Sequence, residues 1–286
     1  MTILVRYAEI GIKGNNRVTF ERALASNIES CLRAHAIPFS RVYRIYGRII
    51  VETDNTCAQL RHVFGIASFS HAVKAGSTID AALAVAKQQV EKLAETDTFR
   101  VSCQRLDKAF PLTSQQVCVQ LGEKLAAVTK AKVKMQQPTV DVGIEVIDGA
   151  LYVLASRTEG PGGMPIGSAG TIIALIEDGA SILAALLMLK RGCIVIPALL
   201  KDVDVSLIAA FAEKHAVEPV RIASLDELDA LAAKHRADAV VLNDTFATAR
   251  GISLKALVLR PLSSYTPGEI KNERQAFHDM LDADKA

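Results

Sequence analysis

The sequence predicts an α/β protein with an α+β front, and three observations carry that prediction. The first 75 residues read as β-α-β-β-α-β, the ferredoxin-like order. From residue 161 onward, short apolar runs of strand length alternate with helical stretches, the pattern of a Rossmann-like parallel sheet. The run from Pro161 to Cys193 reads as a glycine-rich hinge, a buried strand, a tight turn and an Ala/Leu helix. Strand, turn and helix in that order open nucleotide-binding α/β domains, with the N–H groups of the helix start facing the turn.

Composition sets the bounds. The chain has 286 residues, 50% of them hydrophobic, enough for two or three small domains with their own cores. No apolar run reaches the roughly 18 residues of a spanning helix. The opening MTILVRYAEI reads as a first strand rather than a signal peptide, so a cytoplasmic protein with no membrane partner is expected. Five cysteines (Cys31, Cys57, Cys103, Cys118, Cys193) lie far apart, without CxxC and without metal-ligand spacing to histidine. They read as reduced, mostly buried thiols, and no metal site is expected. Net charge is +2, but residues 1–160 hold 20 Lys+Arg against 15 Asp+Glu, and the rest 13 against 16. A basic front and an acidic back point to a polyanion meeting the front.

In the first segment, residues 1–75, ILVRYAEI begins a strand and GIKGNNR is a loop. Asn15 or Asn16 is the candidate cap of a helix from about Val18 to His35, with apolar spacing at Phe20, Leu24, Ile28 and Leu32. RVYRIYGRIIVET reads as a hairpin turning at Tyr46–Gly47. A short helix around Cys57–Val63 and an extended FGIASFSHAVKA complete the order. Lys13, Arg17, Arg44 and Arg48 cluster near the loops and the hairpin, where such donors hold phosphates without reading sequence.

In the second segment, residues 76–160, a helix is expected from Thr78 to Ala94 and a strand at FRVSCQRL. Thr113 or Ser114 caps a helix through SQQVCVQLGEKLAAVT. AKVKMQQP, VGIEVIDG and ALYVLASRTEG are three further strands, the last two joined by the hairpin turn Asp148–Gly149. Arg105, Lys108, Lys130, Lys132 and Lys134 flank loops or alternate on an edge strand. Edge lysines also block aggregation, so that alternation has two readings.

In the third segment, residues 161–286, Thr171–Ile176 is the first strand, CIVIPALL the second, PVRIA and ADAVVLND the next two, and Ala256–Arg260 another. Helices are expected from Val205 to His215 and from Leu225 to His235. The phosphate position after the first strand carries Glu177 and Asp178, then Gly179, Ala180 and Ser181. A carboxylate ~4 Å from a phosphate oxygen repels it by about 1 kcal/mol at water-like dielectric and about 4 in a partly buried site.

Three stretches carry a resemblance. YAEIGIKGNNRVTFE (Tyr7–Glu21), FRVSCQRLDKAFPLTS (Phe99–Ser114) and GGMPIGSAG (Gly162–Gly170) resemble three successive signatures of the tRNA 4-thiouridine synthetase family, the ThiI-type tRNA sulfurtransferases. The resemblance covers nearly the whole chain. It implies a ferredoxin-like domain over 1–75, a THUMP domain over 76–160 (a sequence profile of it beginning near 57), and a PP-loop ATP-pyrophosphatase-like domain over 161–286. It further implies that the first two domains grip the acceptor region of tRNA, and that the last uses ATP to activate a uridine for sulfur. A homodimer is compatible with the resemblance. Three departures stand out. Ala8 replaces a usual glycine. The family's Ser-Gly-Gly-x-Asp-Ser loop is replaced by Glu177–Asp178–Gly179–Ala180–Ser181, one residue shorter, and the polar segment after the fourth strand by Asn243–Arg250.

The sequence therefore leads to a tRNA-binding THUMP protein with a degenerate PP-loop domain and no ATP-dependent catalysis of its own. RNA-binding candidates are Lys13, Arg17, Arg48, Arg105, Lys108 and Lys132, and the degenerate nucleotide loop is Glu177, Asp178, Gly179 and Ser181. No catalytic residue and no cofactor are assigned. The alternative keeps ATP and Mg²⁺ and makes 4-thiouridine through the divergent loop, with a link to thiamine biosynthesis, and whether the chain is an enzyme stays open between the two. Cys193 opens an apolar strand and reads as a core thiol; His215, His235 and His278 read as surface residues on helices.

Overall fold

The computed structural model describes residues 1–7 and 9–282, the side chains of Asn15 and Ser156 excepted. The first elements are β1 (Thr2–Tyr7), α1 (Arg17–Ala34), β2 (Arg41–Ile45), β3 (Arg48–Glu52) and β4 (Ile66–Gly76). Next come α2 (Ile79–Val90), β5 (Thr98–Arg105), α3 (Ser114–Ala126), β6 (Lys132–Val133), β7 (Val140–Ile147) and β8 (Ala150–Glu159). The last are β9 (Thr171–Ile176), α4 (Gly179–Lys190), β10 (Ile194–Leu199), α5 (Ser206–Ala212), β11 (Val220–Arg221), α6 (Glu227–His235), β12 (Ala239–Val241), β13 (Val258–Leu259) and α7 (Pro267–Asp282). By their contacts the residues form two units. One is Met1–Val5, Phe39–Asn55 and Phe69–Thr158; the other is Arg6–Pro38, Thr56–Ser68 and Glu159–Ala286.

The first unit is built on a mixed sheet in the order β2-β3-β1-β4-β8-β7-β5-β6. Period-two alternation gives its strands two apolar faces. Val142, Ile144, Val146, Leu151 and Val153 pack with Val117, Leu121 and Leu125 of α3 and with Ala82 and Ala86 of α2. Leu4, Ile50, Ala72, Ala150, Tyr152 and Leu154 form a second cluster. The β2–β3 hairpin pairs Ile45 with Arg48 around Tyr46–Gly47, and β7–β8 pairs Ile147 with Ala150 around Asp148–Gly149. Asp148 and Gly149 both take positive φ (46° and 72°), the turn that matches strand twist. Thr113 caps α3 in a reciprocal capping box with Gln116.

The second unit holds a parallel sheet in the order β11-β10-β9-β12-β13. Chain order 3-2-1-4-5 puts the change of direction between β9 and β12, where α/β sheets open a crevice at their carboxyl ends. β9 is apolar throughout because both its faces are covered. Ile172, Ala174 and Ile176 point into one core with α4, α5 and α7; Ile173 and Leu175 point into the other with Leu228 and Leu231 of α6. α4 is apolar on all sides because it is buried, with Ile182 to Leu186 and Leu189 enclosed. The GGMPIGSAG segment wraps its far end: Met164 N–H donates to Lys190 O at 2.8 Å, and Gly167, Ser168 and Ala169 N–H all donate to Gly192 O at 2.9–3.1 Å. The helix's last carbonyls are thereby satisfied.

Four local expectations are corrected. Asn16 precedes α1 but makes no side-chain cap bond, because a 3-10 turn (Gly14–Asn16) already leads into the helix; the other candidate, the Asn15 side chain, lies outside the described residues. The helix near 57–63 is a single 3-10 stretch, Ala58–His62. α2 ends at Val90 rather than Ala94. The strand expected over AKVKMQQP shrinks to Lys132–Val133, with only Thr98 and Phe99 as sheet partners.

Arg48 is the main polar feature of the first unit's interior. Its Nε donates to Glu145 Oε2 at 2.8 Å, its Nη2 to Glu145 Oε1 at 3.1 Å and Gln104 Oε1 at 2.5 Å, and its Nη1 to Gly47 O at 2.6 Å. The two side chains are 8% and 2% exposed. Losing one member of a buried pair strands the other charge, whereas replacing both by apolar groups is often neutral. Arg48→Ala is expected to lower unfolding free energy by about 3–5 kcal/mol, and Arg48→Met with Glu145→Leu to recover most of it. Urea melts of the three proteins check this.

Candidate functional site

The sequence directs attention to the turn after β9, and the topology puts that turn at the crevice. Helix α4 starts at Gly179, so its first N–H groups have no partner within the helix and must find one elsewhere. The chain supplies its own. Asp178 Oδ1 accepts from Ala180 N–H and Ser181 N–H, both at 2.9 Å. Ser181 Oγ accepts from Glu177 N–H and Asp178 N–H, both at 2.9 Å, and donates to Asp178 O at 2.7 Å. These four N–H groups are the ones a phosphate would use at such a helix start. A Cβ built on Gly179 would fall on the Arg274 guanidinium, so α7 lays a cation on the same turn.

The segment after β12 faces this turn and bonds to it. Asn243 Nδ2 donates to Asp178 Oδ1 at 3.0 Å, and Arg250 Nη1 to Glu177 Oε2 at 2.7 Å. Arg250 also donates to Asp244 Oδ1 at 2.8 Å and to Asn243 Oδ1 at 2.9 Å. Arg260, just past β13, donates to Asp244 Oδ2 at 2.9 Å. Asp244 is 2% exposed and held between two guanidinium groups. Burial works to raise the Asp244 carboxyl, but the bonds from Arg250 and Arg260 outweigh it and hold the group below its ordinary value. Asp178 is depressed in the same way: burial opposes, and the Ser181 and Ala180 N–H groups and Asn243 prevail.

The structure thus brings Glu177, Asp178, Gly179 and Ser181 together as expected from their adjacency. It adds Asn243, Asp244, Arg250, Arg260 and Arg274, whose roles the sequence did not reveal. Two acidic neighbours at a phosphate position were the signal that compensating cations were needed. Simple repulsion is therefore revised: Glu177 is neutralised by Arg250, and Asp178 acts as a cap. Cys193 is buried, its thiol raised by burial, 3.6 Å from Ala169 O.

The six basic candidates divide. Arg48 is enclosed by Glu145 and Gln104 and presents no guanidinium to a ligand. Arg17 lies against Tyr7 and Glu21, its Nε 2.8 Å from Glu21 Oε1, and Tyr7 O–H donates to the same carboxylate. Burial and the Glu21 bond push the Tyr7 phenol up to about 12. Arg105 Nη1 donates to Phe110 O and Leu112 O, both at 3.2 Å, and so shapes the loop that carries Lys108. Asp107 braces that loop further, accepting from Ala109 N–H at 2.8 Å and Gly149 N–H at 2.9 Å. Lys13, Lys108 and Lys132 are exposed. Lys13 Nζ sits 5.2 Å from the Phe20 ring centroid, and Lys132 lies on the edge strand of the mixed sheet. Ala8, the other departure, lies outside the described residues. The reading that no cysteine stands at ligand spacing to a histidine is corrected: Cys31 lies on the last turn of α1 and His35, four residues on, is its C-cap. No helix among the described residues is long and apolar enough to cross a membrane.

Comparisons with known proteins place this geometry. Residues 2–70 match the model of the ThiI ferredoxin-like domain, and residues 77–155 that of the THUMP domain. A probable tRNA sulfurtransferase of Thermococcus kodakarensis is 34% identical over 205 residues, 68% of this chain and 54% of the relative. One of Methanocaldococcus jannaschii is 34% identical over 206 residues, 68% of this chain and 54% of the relative. The chain spans about half the length of the curated relatives it matches. The crystal structure of PH1313 from Pyrococcus horikoshii Ot3 superposes with TM-score 0.84 at 27% identity, covering 97% of this chain and 99% of that one. A 4-thiouridine synthetase–RNA complex with bound ATP superposes with TM-score 0.78 at 20% identity, covering 98% and 85%, which establishes the shared fold. With both family domains in sequence order, relatives named tRNA sulfurtransferase and this fold throughout, the chain belongs to the ThiI-type tRNA sulfurtransferase (4-thiouridine synthetase) family.

Proposed function

We propose that this chain is a tRNA-binding THUMP protein whose α/β domain keeps the family fold and carries out no ATP-dependent catalysis of its own. The observation that supports this most is the occupied turn. The N–H groups of Glu177, Asp178, Ala180 and Ser181 all bond within the turn, and Arg274 covers Gly179. A nucleotide phosphate has to displace the Asp178 carboxylate and the Ser181 hydroxyl before it meets a donor. The domain then acts as a scaffold. The tRNA side of the reading rests on the THUMP match, on relatives named for tRNA, and on Lys13, Lys108 and Lys132 standing exposed at loops or on an edge strand.

Titration of ATP with Mg²⁺ into the purified chain, followed calorimetrically, tests the first part. No heat is expected at millimolar ATP. The Glu177→Ser, Asp178→Gly double variant frees the Ala180 and Ser181 N–H donors and is expected to gain nucleotide affinity. Micromolar binding by the unaltered chain would instead assign Glu177 or Asp178 to a bridging Mg²⁺ and favour an active sulfurtransferase.

Mobility-shift titrations of tRNA across salt concentrations test the second. Binding is expected to fall steeply with salt, because phosphate contacts release counterions. Lys108→Ala is expected to reduce the log–log salt slope by about 1 and to weaken all tRNAs alike. Arg48→Ala is expected to leave the slope unchanged once loss of folded protein is accounted for.

As part of a scaffold, the Asp244 carboxylate contributes to stability. Its folded pKa lies below the ordinary 3.8, so its contribution is fully present above that value and is lost as pH falls through the folded value. Asp244→Asn is expected to cost about 1–3 kcal/mol at neutral pH and to flatten the acid limb below about pH 4. Thermal melts from pH 7 to pH 2.5 (~0.5-unit steps) follow both effects.

A further inference from the structure

Outside the turn, one cluster in the second unit has the chemistry of a ligand site. Cys31 and His35 stand four residues apart near the end of α1, so their side chains share a face. The turn after α5 brings Glu213 to them. One ligand-capable atom from each residue (the thiol sulfur, a ring nitrogen and a carboxylate oxygen) lies within 4.8 Å of the other two. Cys31 Sγ is 3.9 Å from His35 Nδ1, and that nitrogen is 3.0 Å from Cys31 O, which holds the ring over the thiol. Two further observations bear on Glu213. Its Oε1 is buried without a hydrogen-bond partner, although a buried carboxylate oxygen normally has one. Its backbone sits at φ 48°, ψ −117°, a strained conformation for a residue with a side chain.

We propose that Cys31, His35 and Glu213 form a Zn²⁺ site with three protein ligands and a fourth position open to solvent beside the exposed His35. The donor set decides the metal. Thiolate and imidazole suit zinc, whereas Mg²⁺ and Ca²⁺ take oxygen ligands. Charge also balances: a thiolate and a carboxylate neutralise one divalent ion, so a half-buried site carries no net charge. Binding replaces the thiol proton, which passes to solvent, ends the 3.7 Å thiol contact to Gln59 O, and turns the His35 ring out of its Nδ1–H bond to Cys31 O so that an unprotonated ring nitrogen meets the ion. Tetrahedral zinc needs its ligand atoms about 3.5 Å apart, so the side chains close by about 1 Å. The site ties α1 to the turn after α5, and it gives Glu213, whose carboxylate faces the Cys31 thiol and whose Oε1 is buried without a hydrogen bond, a cation to bind.

The test uses the full chain after treatment with a chelator. Zn²⁺ is titrated calorimetrically in two buffers of different protonation enthalpy, and Co²⁺ is then used as a spectroscopic substitute. The expected result is one ion per chain with proton release, thiolate-to-cobalt charge-transfer absorption, and a raised melting temperature. Cys31→Ser and Glu213→Gln are each expected to weaken binding about 100-fold or more. His35→Gln, on an exposed residue, serves as the variant least able to disturb folding and is expected to weaken binding about as much. Circular dichroism confirms that each variant is folded. Absence of binding at tens of micromolar Zn²⁺ overturns the proposal. So does binding that survives both Cys31→Ser and Glu213→Gln.

Discussion

The start of α4 imposes the constraint on which the second unit turns. A buried helix exposes N–H groups at its first turn, and those groups need acceptors. In a phosphate-binding domain the ligand is an acceptor. Here Asp178 and Ser181 take that place, and everything around them follows. A carboxylate cap at this position brings negative charge beside a second carboxylate, Glu177. Arg250 answers Glu177, Asn243 answers Asp178, and Asp244 with Arg260 fixes Arg250 in turn. The two departures from the family pattern within the α/β domain, the turn and the Asn243–Arg250 segment, are thus one bonded structure. A decayed loop would leave unpaired groups; this one is internally complete.

The same economy runs through the family-like stretches. Most of their polar side chains build the frame. Tyr7, Arg17 and Glu21 bind one another at the entrance to α1. Arg105 and Asp107 hold the loop before α3, and GGMPIGSAG closes the end of α4. Lys108 is then an exposed charge on a braced loop. Bracing lowers the entropy lost when a lysine meets a phosphate, because only the side chain remains to be ordered.

Much of the fold was legible because its signals are periodic. The apolar run of β9, the Asp148–Gly149 turn, the Tyr46–Gly47 turn and Thr113 before its helix each state their structure within a few residues. The errors came where local pattern yields to sequence-distant contacts. Lys130, Lys132 and Lys134 alternate like a strand, but only two residues find a partner at that edge. Arg48 looks like a hairpin charge, and its burial depends on Glu145, 97 residues away. Arg274 contacts Gly179 from the far end of the domain. Cys31 and His35 stand four residues apart, a spacing passed over in reading the sequence, and the Glu213 carboxylate reaches them from a turn more than 170 residues on. Charge sign alone could flag Glu177 and Asp178 as foreign to a phosphate turn; it could not tell repulsion from occupation.

That distinction changes the size of the barrier to nucleotide. Repulsion by two free carboxylates would be screened by salt and reversed by a divalent cation. Occupation by the Asp178 cap is mostly hydrogen bonding within the turn, which salt screens far less. Removing the Asp178 side chain from the helix start costs about 1 kcal/mol, the usual worth of such a cap. Parting the half-exposed Arg250–Glu177 pair adds roughly another 1 kcal/mol, and stripping Asp244 of one guanidinium adds about 1 more, since hydrogen bonds to charged groups are the stronger kind. A total of about 3 kcal/mol is a factor of roughly 100 in affinity. An ordinary micromolar site rebuilt in this way loses about two orders of magnitude in affinity, and the loss of the phosphate's own N–H contacts carries it further, beyond the millimolar range. A Mg²⁺ ion that took Asp178 Oδ1 or Glu177 Oε2 would compete with the bonds these oxygens already accept from Ala180 N–H, Asn243 and Arg250. The turn is stable because it is filled, and the same filling is what the proposed loss of nucleotide binding rests on.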